Sequence, residues 1–136
     1  RARARGGGAV SDFSRRPLVL VADDDPDIVT LVRFRLEREG YDVVGASDGQ
    51  TALDLALERE PDVAVLDVTM PHLDGYEVTR RLRRHDRTRA TAVILLTARV
   101  QEADMQEGVA AGADDYVTKP FSPQELGRRV QAALAR

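Results

Sequence analysis

The chain has no cysteine and no tryptophan, and only 4% of its residues are aromatic. Without cysteine it cannot form a disulfide framework or use a thiol nucleophile, which fits a reducing compartment such as the cytoplasm. Its longest apolar runs, at Leu18–Ala22 and Ala92–Leu96, are far too short to cross a bilayer. The sequence therefore predicts a cytoplasmic protein with an aliphatic core and no contact with the membrane.

Lysine is also nearly absent, because 19 of the 20 basic residues are arginine. Residues 1–16 hold five arginines and one aspartate, a net charge of +4, so residues 17–136 carry −7 and the whole chain −3. An acidic domain lacks the positive surface that binds nucleic-acid phosphates. We expect a disordered linker or cloning remnant at 1–16, one folded domain at 17–136, and no direct binding of nucleic acid.

Apolar runs of strand length alternate with segments of helical period from Pro17 onward. The predicted strands are Leu18–Ala22, Tyr41–Ala46, Val63–Leu66, Ala92–Leu96 and Tyr116–Thr118. The first, third and fourth runs are nearly continuous in Val, Leu, Ile and Ala, which is typical of parallel strands covered by helices on both faces. Five βα units predict an α/β fold with a doubly wound parallel sheet, which binds ligands at the carboxyl ends of its strands.

The predicted helices carry start signals and apolar stripes. Asp25 is the expected cap of the first helix, and Ser122 that of the fifth. The apolar stripe of the first helix comprises Ile28, Leu31, Val32 and Leu36. The fourth helix has a weak stripe, with Met105 and Val109 among polar neighbours. We expect the fourth helix to move most easily.

Polar side chains stand at the carboxyl ends of the predicted strands. Asp23 and Asp24 follow the first strand, Asp67 the third, Thr97 the fourth and Lys119 the fifth. If these strands are neighbours, the side chains converge on one edge of the sheet. Clustered carboxylates raise each other's pKa unless a cation neutralises them, and hard oxygen ligands suit Mg²⁺. The pattern predicts a magnesium site at this edge.

Each of these residues also has a structural interpretation. An aspartate after a strand commonly caps a helix or forms a turn, and Asp25 fits that role best. Thr97 alone could be a β-former, and Lys119 alone a solvated surface residue. However, Lys119 is the single lysine of an arginine-rich chain and stands opposite the carboxylates. A compact point charge at that position favours a binding role.

Four motifs resemble the receiver domains of two-component response regulators. They are Val21–Asp25, Leu66–Pro71 with Asp74–Gly75, Leu96–Ala98 and Gly112–Phe121. The set occurs in order, and the resemblance covers Pro17–Arg136. It implies a flavodoxin-like strand order 2-1-3-4-5 and a phosphorylation-dependent signalling switch. Such a domain is not an enzyme in the usual sense, since it catalyses only its own phosphotransfer and slow dephosphorylation.

The resemblance implies a role for each residue at the strand ends. Asp67 would be the phosphoacceptor. The Mg²⁺ ligands would be Asp23, Asp24, Asp67 and the backbone carbonyl of Thr69. The phosphoryl oxygens would be bound by Lys119, the Thr97 hydroxyl and the Ala98 amide. Thr97 and Tyr116 would form the switch, and the Lys119–Pro120 peptide would be cis.

Partners are implied in the same way. The phosphoryl donor would be a histidine kinase or a phosphotransfer protein. Phosphorylation would remodel the face formed by the fourth helix, fifth strand and fifth helix, through which a homodimer could form. Asp104, Asp114, Asp115 and Arg129 resemble positions used for dimer salt bridges in winged-helix regulators. Glu107, however, stands where such regulators usually carry a basic residue, which counts against that dimer.

Two alternatives come from other functional classes. A phosphatase of the haloacid dehalogenase type also uses an aspartyl nucleophile with Mg²⁺, but it needs a second aspartate two residues after the nucleophile, where this chain has Thr69. A receiver-like docking module that is never phosphorylated would not need Asp67, Thr97 and Lys119. The retention of all three residues counts against it.

Overall fold

The computed structural model describes residues 15–98 and 102–135, in which five strands alternate with five helices. The elements are β1 (Leu18–Ala22), α1 (Pro26–Arg38), β2 (Asp42–Ala46), α2 (Gly49–Arg59), β3 (Val63–Asp67), α3 (Gly75–Arg84), β4 (Ala92–Thr97), α4 (Glu102–Ala111), β5 (Asp115–Thr118) and α5 (Pro123–Leu134). None of the helices in these ranges combines the length and apolar content needed to cross a membrane. The predicted alternation of strands and helices is confirmed.

The sheet is parallel throughout, with the order β2-β1-β3-β4-β5. The predicted fold class and strand order are therefore confirmed. Strand ends differ from the prediction by one residue, since Asp67 aligns with Leu96 and Thr97 with Thr118 inside the ladder. Similarly, β2 begins one residue later than predicted and β5 one residue earlier. Because β1 pairs with β3, the residues that follow these two strands lie side by side near the centre of the sheet.

Alternate residues of the central strands enter two separate cores. Leu20, Leu66 and Leu95 pack on the face covered mainly by α2 and α3, and Val21, Val65 and Ile94 on the face covered by α1 and α5. All six side chains are fully buried. Burial on both faces explains the continuous apolar runs and leaves the strand ends as the place where polar groups can collect.

The predicted helix caps are confirmed. The Asp25 carboxylate accepts a hydrogen bond from the backbone N–H of Asp27 at 2.9 Å, and the Ser122 hydroxyl oxygen accepts one from Glu125 at 3.0 Å. Asp74 caps α3 in the same way. Each cap contributes about 1 kcal/mol and sets where the helix leaves the edge of the sheet.

The apolar stripe predicted for α1 is wrong at one position. Leu31 of α1 is 50% exposed, because α1 buries Val32 and Leu36 instead. In α4, Met105 and Val109 are 41% and 71% exposed. The inner face of α4 carries small residues because the ring of Tyr116 occupies the space beside Gly108.

The linker predicted at 1–16 falls mostly on residues 1–14, which lie outside the described residues. The two that are described contact the folded part. Nε of Arg16 donates to the carbonyl oxygen of Gly40 at 2.9 Å, and Arg15 lies 3.7 Å from the carboxylate of Asp62. The boundary between linker and domain stays a prediction.

Candidate functional site

The turn between β1 and α1 orients the first carboxylate of the site. The backbone N–H of Asp25 donates to Oδ1 of Asp23 at 2.9 Å, and the N–H of Asp23 donates to the carbonyl oxygen of Ala46 at 3.1 Å. Asp23 is fully buried, whereas Asp24 is exposed. One carboxylate therefore lies inside the edge of the sheet and its neighbour faces solvent.

The second buried carboxylate belongs to Asp67, the last residue of β3. Its exposed fraction is 5%. The chain turns sharply after it, and the N–H of Gly75 donates to the carbonyl oxygen of Val68 at 2.9 Å. A Cβ atom at position 75 would lie 2.5 Å from the carbonyl oxygen of Asp67, so a glycine is needed for α3 to begin this close to β3.

Lys119 joins the two buried carboxylates. Its Nζ lies 2.9 Å from Oδ2 of Asp23 and 3.1 Å from Oδ1 of Asp67. The backbone N–H of Lys119 donates to the carbonyl oxygen of Thr97 at 2.8 Å, which holds the end of β5 against β4. The Lys119–Pro120 peptide is cis, as the resemblance implied.

The charges of the site are unevenly balanced. Burial raises the pKa of Asp67 above its ordinary value, and the charge of Asp23 raises it further, although Lys119 acts in the opposite direction. Burial of Lys119 lowers its pKa, but the hydrogen bonds and charges of Asp23 and Asp67 outweigh burial, so its pKa is raised overall. One ammonium group does not fully offset two buried carboxylates, and another cation would favour the ionised form of Asp67.

The carboxylates fit a divalent metal ion. Asp23, Asp24 and Asp67 can each bring one oxygen within 4.8 Å of the other two. These are hard oxygen donors, and the exposed position of Asp24 leaves room for water, as Mg²⁺ requires. Thr69 is exposed two residues after Asp67, and the role of its backbone carbonyl stays a prediction.

Thr97 and Ala98 complete the edge. Thr97 ends β4 and is 5% exposed, whereas Ala98 is exposed. The backbone N–H of Val68, next to the acceptor, donates to the carbonyl oxygen of Leu96 at 2.9 Å. This bond ties the chain after Asp67 to the strand that carries Thr97, so the predicted acceptor and the predicted hydroxyl lie on adjoining strand ends.

Tyr116, the predicted switch residue, is half-buried on β5, and its hydroxyl donates to the backbone carbonyl of Asp104 in α4. The hydroxyl of Tyr76, in the first turn of α3, donates to the same carbonyl at 3.2 Å. Sequence reasoning missed Tyr76. The signal was present, because Tyr76 lies three and six residues before Thr79 and Leu82 on the buried face of α3.

The predicted dimer residues make contacts within the chain. Arg129 lies 2.7 Å from the carboxylate of Asp115, and Arg83 lies 3.0 Å from that of Asp114. Glu107 lies 4.0 Å from Arg80 of α3. These pairs tie α3, α4, β5 and α5 to one another, and the homodimer stays a prediction.

The sheet order and the acidic edge define the chain as a receiver-type signalling domain. It matches the response regulator receiver domain family over residues 19–131 and belongs to that family. The chain is therefore a phosphorylation-dependent signalling switch, and the family consists of signalling modules. Neither the phosphatase nor the unphosphorylated docking module gains support from these similarities.

Individual relatives agree with this assignment. The chain is 50% identical over 118 residues to the alkaline phosphatase synthesis transcriptional regulatory protein PhoP of Bacillus subtilis, a match that covers 87% of this chain and 48% of that protein. The chain thus spans about half the length of that relative.

Two solved structures share the fold over their full length. The chemotaxis protein CheY4 of Vibrio cholerae is 34% identical with a TM-score of 0.85, covering 88% of this chain and 100% of that one. The receiver domain of the sensor histidine kinase PA1611 of Pseudomonas aeruginosa is 32% identical with a TM-score of 0.82, covering 90% and 100%. The PA1611 structure has a magnesium ion coordinated in the active site cleft.

Proposed function

We propose that Asp67 accepts a phosphoryl group from a phosphohistidine of a histidine kinase or phosphotransfer protein. The observation that carries this proposal is the position of the Lys119 ammonium, 2.9 Å from Asp23 and 3.1 Å from Asp67. The ammonium partly neutralises two buried carboxylates at the end of the strands. It is well placed to bind the oxygens of a phosphoryl group delivered to Asp67.

The transfer is an in-line displacement. A carboxylate oxygen of Asp67 attacks phosphorus, the P–N bond to the donor imidazole breaks, and the imidazole leaves with the electron pair. Asp67 becomes an acyl phosphate. Lys119, the Thr97 hydroxyl and the Ala98 amide bind the phosphoryl oxygens and stabilise their charge as the bonds exchange.

Asp23, Asp24 and Asp67 would hold Mg²⁺, together with the backbone carbonyl of Thr69. The bound ion supplies positive charge next to the phosphoryl oxygens. Asp23 is oriented for this by the Asp25 backbone N–H, which leaves its Oδ2 facing Lys119. Asp24 is exposed and needs no rearrangement of the core to contribute an oxygen.

Dephosphorylation is slow in this proposal. Water attacks the acyl phosphate at phosphorus, the P–O bond to Asp67 breaks, and the carboxylate and inorganic phosphate are released. A haloacid dehalogenase phosphatase carries an aspartate two residues after its nucleophile, which can take a proton from the attacking water, and the Thr69 hydroxyl is too weak a base for that role. The domain therefore catalyses its own phosphorylation and slow hydrolysis without rapid turnover.

The output is a change in surface shape. Thr97 would move toward the phosphoryl group and Tyr116 would follow into the space vacated, which remodels the face of α4, β5 and α5. A shift from 1:99 to 99:1 requires about 5.5 kcal/mol, the value of several charge-assisted hydrogen bonds. That face is the proposed surface for a homodimer or another partner.

The surrounding protein and its location are further proposals. The relative PhoP is named as a transcriptional regulatory protein and is about twice as long as the matched region. We place the receiver unit at residues 17–136 in the cytoplasm. Because this unit is acidic, we assign any DNA binding to a separate output domain and none to the receiver.

Acetyl phosphate provides the direct test. Incubated with Mg²⁺ and acetyl phosphate, the protein should gain one phosphoryl group by intact mass, in a linkage that is stable to acid and labile to base. Asp67→Asn should gain none. Fast multiple turnover on small phosphomonoesters would favour the phosphatase instead, and the absence of both adduct and beryllofluoride binding would favour the docking module.

A further inference from the structure

Two tyrosines donate hydrogen bonds to one atom in the corner between α3, α4 and β5. The hydroxyls of Tyr76 and Tyr116 both donate to the backbone carbonyl oxygen of Asp104, in the first turn of α4. Tyr76 is buried and Tyr116 half-buried. We call this arrangement the tyrosine clamp. A single carbonyl thereby links α4 to both α3 and β5.

Gly108 makes the clamp sterically feasible. It lies one turn after Asp104 in α4 and is buried against the ring of Tyr116. A Cβ atom there would lie 2.6 Å from Cζ of Tyr116 and would collide with its hydroxyl. A glycine in the middle of a helix lowers helix stability relative to alanine. At position 108 that cost is offset by the close approach of Tyr116.

Apolar burial holds α4 only weakly. Among residues 103–111, Gly108 and Ala111 are the buried ones, and both are small. Burial of small residues contributes little hydrophobic free energy. In addition, Oδ2 of Asp104 is buried without a hydrogen-bond partner in the described part of the chain, which opposes this arrangement. The position of α4 therefore depends strongly on the two hydroxyls.

We propose that Tyr76 is a positioning residue of the switch, which holds α4 in its resting place through the carbonyl of Asp104. This inference rests on the proposed function, in which Tyr116 turns toward Thr97 after phosphorylation. Tyr116 then leaves the carbonyl of Asp104, and the hydrogen bond from Tyr76 still resists displacement of α4. Tyr76 thus sets the fraction of molecules that are ready to bind a phosphoryl group.

Linkage between α4 and the acceptor site gives the expected effect of Tyr76→Phe. The variant keeps the buried ring and loses only the hydroxyl. If the resting arrangement predominates, removing one of its hydrogen bonds raises the binding-competent fraction, so beryllofluoride with Mg²⁺ should bind about two- to tenfold more tightly. Without any ligand, the α4 amides should exchange hydrogen faster by a similar factor.

Two further variants make the test specific. Tyr41→Phe removes the hydroxyl of a half-buried tyrosine beside β2, far from α4, and should match the wild type in both measurements. Gly108→Ala strengthens the helix itself but displaces Tyr116 from α4. It should therefore tighten beryllofluoride binding as well, by breaking the other half of the clamp.

The outcomes separate this inference from the proposed function. Faster exchange in Tyr76→Phe with unchanged or weaker beryllofluoride binding would mean that Tyr76 is merely structural, and the inference would be wrong. Equal tightening in Tyr41→Phe would overturn it too. If the wild type binds beryllofluoride and Asp67→Asn does not, the proposed function stands whatever Tyr76→Phe does; if the wild type binds none, both proposals fail.

Discussion

The two ends of the sheet both contain buried carboxylates and threonines, but they use them differently. At the amino end, Asp62 accepts a hydrogen bond from the backbone N–H of Leu18 at 2.9 Å, and the Thr91 hydroxyl donates to the carbonyl oxygen of Pro61 at 2.9 Å. At the carboxyl end, Asp23 and Asp67 face one another across a lysine. One end binds its own backbone, whereas the other holds charge available to a ligand.

A basic residue at each end differs in the same way, one bonded mainly to the backbone and the other placed between carboxylates. At the amino end, the guanidinium of Arg83 donates to the carbonyl oxygens of Gly112 and Thr91, at 3.0 and 2.6 Å, and to the carboxylate of Asp114 at 3.0 Å. These directed bonds join the end of α3 to the α3–β4 and α4–β5 loops. Lys119 is a point charge between two carboxylates. The planar fork of arginine suits fixed contacts, and the ammonium suits a site whose contents change.

The largest expected effect contrasts the aspartates of the two ends. Asp67→Asn should abolish phosphorylation by acetyl phosphate without lowering the free energy of unfolding in the absence of Mg²⁺, because it removes a buried charge next to Asp23. Asp62→Ala should be phosphorylated normally but lose about 1–3 kcal/mol of stability, since the N–H of Leu18 loses its acceptor. Intact mass and urea unfolding measure the two effects. A phosphorylated Asp67→Asn protein would place the acceptor elsewhere.

The next prediction replaces the lysine of one end with arginine and the arginine of the other end with lysine. Lys119→Arg should reduce the rate of phosphorylation by about 10²-fold, because the larger fork cannot occupy the space between Asp23 and Asp67 in the same way. Arg83→Lys should leave that rate unchanged while it lowers the free energy of unfolding by about 1–3 kcal/mol, since one ammonium cannot replace the set of bonds. The contrast between the two ends would break down if Arg83→Lys slowed phosphorylation as strongly as Lys119→Arg.

The smallest effect separates two adjacent aspartates within the carboxyl end. Mg²⁺ at 100 times its dissociation constant should stabilise the wild type by about 2.7 kcal/mol, and Asp24→Asn should lose most of this increment without a change in stability when Mg²⁺ is absent. Asp25→Ala should do the reverse, losing about 1 kcal/mol through the helix cap and keeping the Mg²⁺ increment. Thermal unfolding with and without Mg²⁺ measures both. Retention of the full increment in Asp24→Asn would remove that residue from the proposed metal site.

Much of the fold and the arrangement of the site follow from local patterns. Continuous apolar runs indicated parallel strands, and parallel strands bring residues such as Asp23 and Asp67 to one edge. The strand order could not be predicted from local patterns, because no local sequence feature indicates that β1 pairs with β3. It came from the resemblance.

The prediction failed where the burial or the hydrogen bond of a side chain depends on a neighbouring helix. Leu31 was assigned to the apolar face of α1 by its period, yet it is exposed, because the elements packed against α1 cover a narrower part of its surface than the period implies. Tyr76 was overlooked for the same reason, since its partner lies 28 residues away in α4. Contacts between helices depend on three-dimensional packing that a one-dimensional period does not contain.

The placement of Lys119 also has a practical chemical consequence. It is the one lysine of this chain, its side chain is 21% exposed, and its amine is paired with Asp23 and Asp67. An amine-directed reagent can therefore modify a single side chain, and that side chain lies in the candidate site. The rate of its modification reports on whatever occupies the carboxylates, and it can be measured without purifying the phosphorylated form.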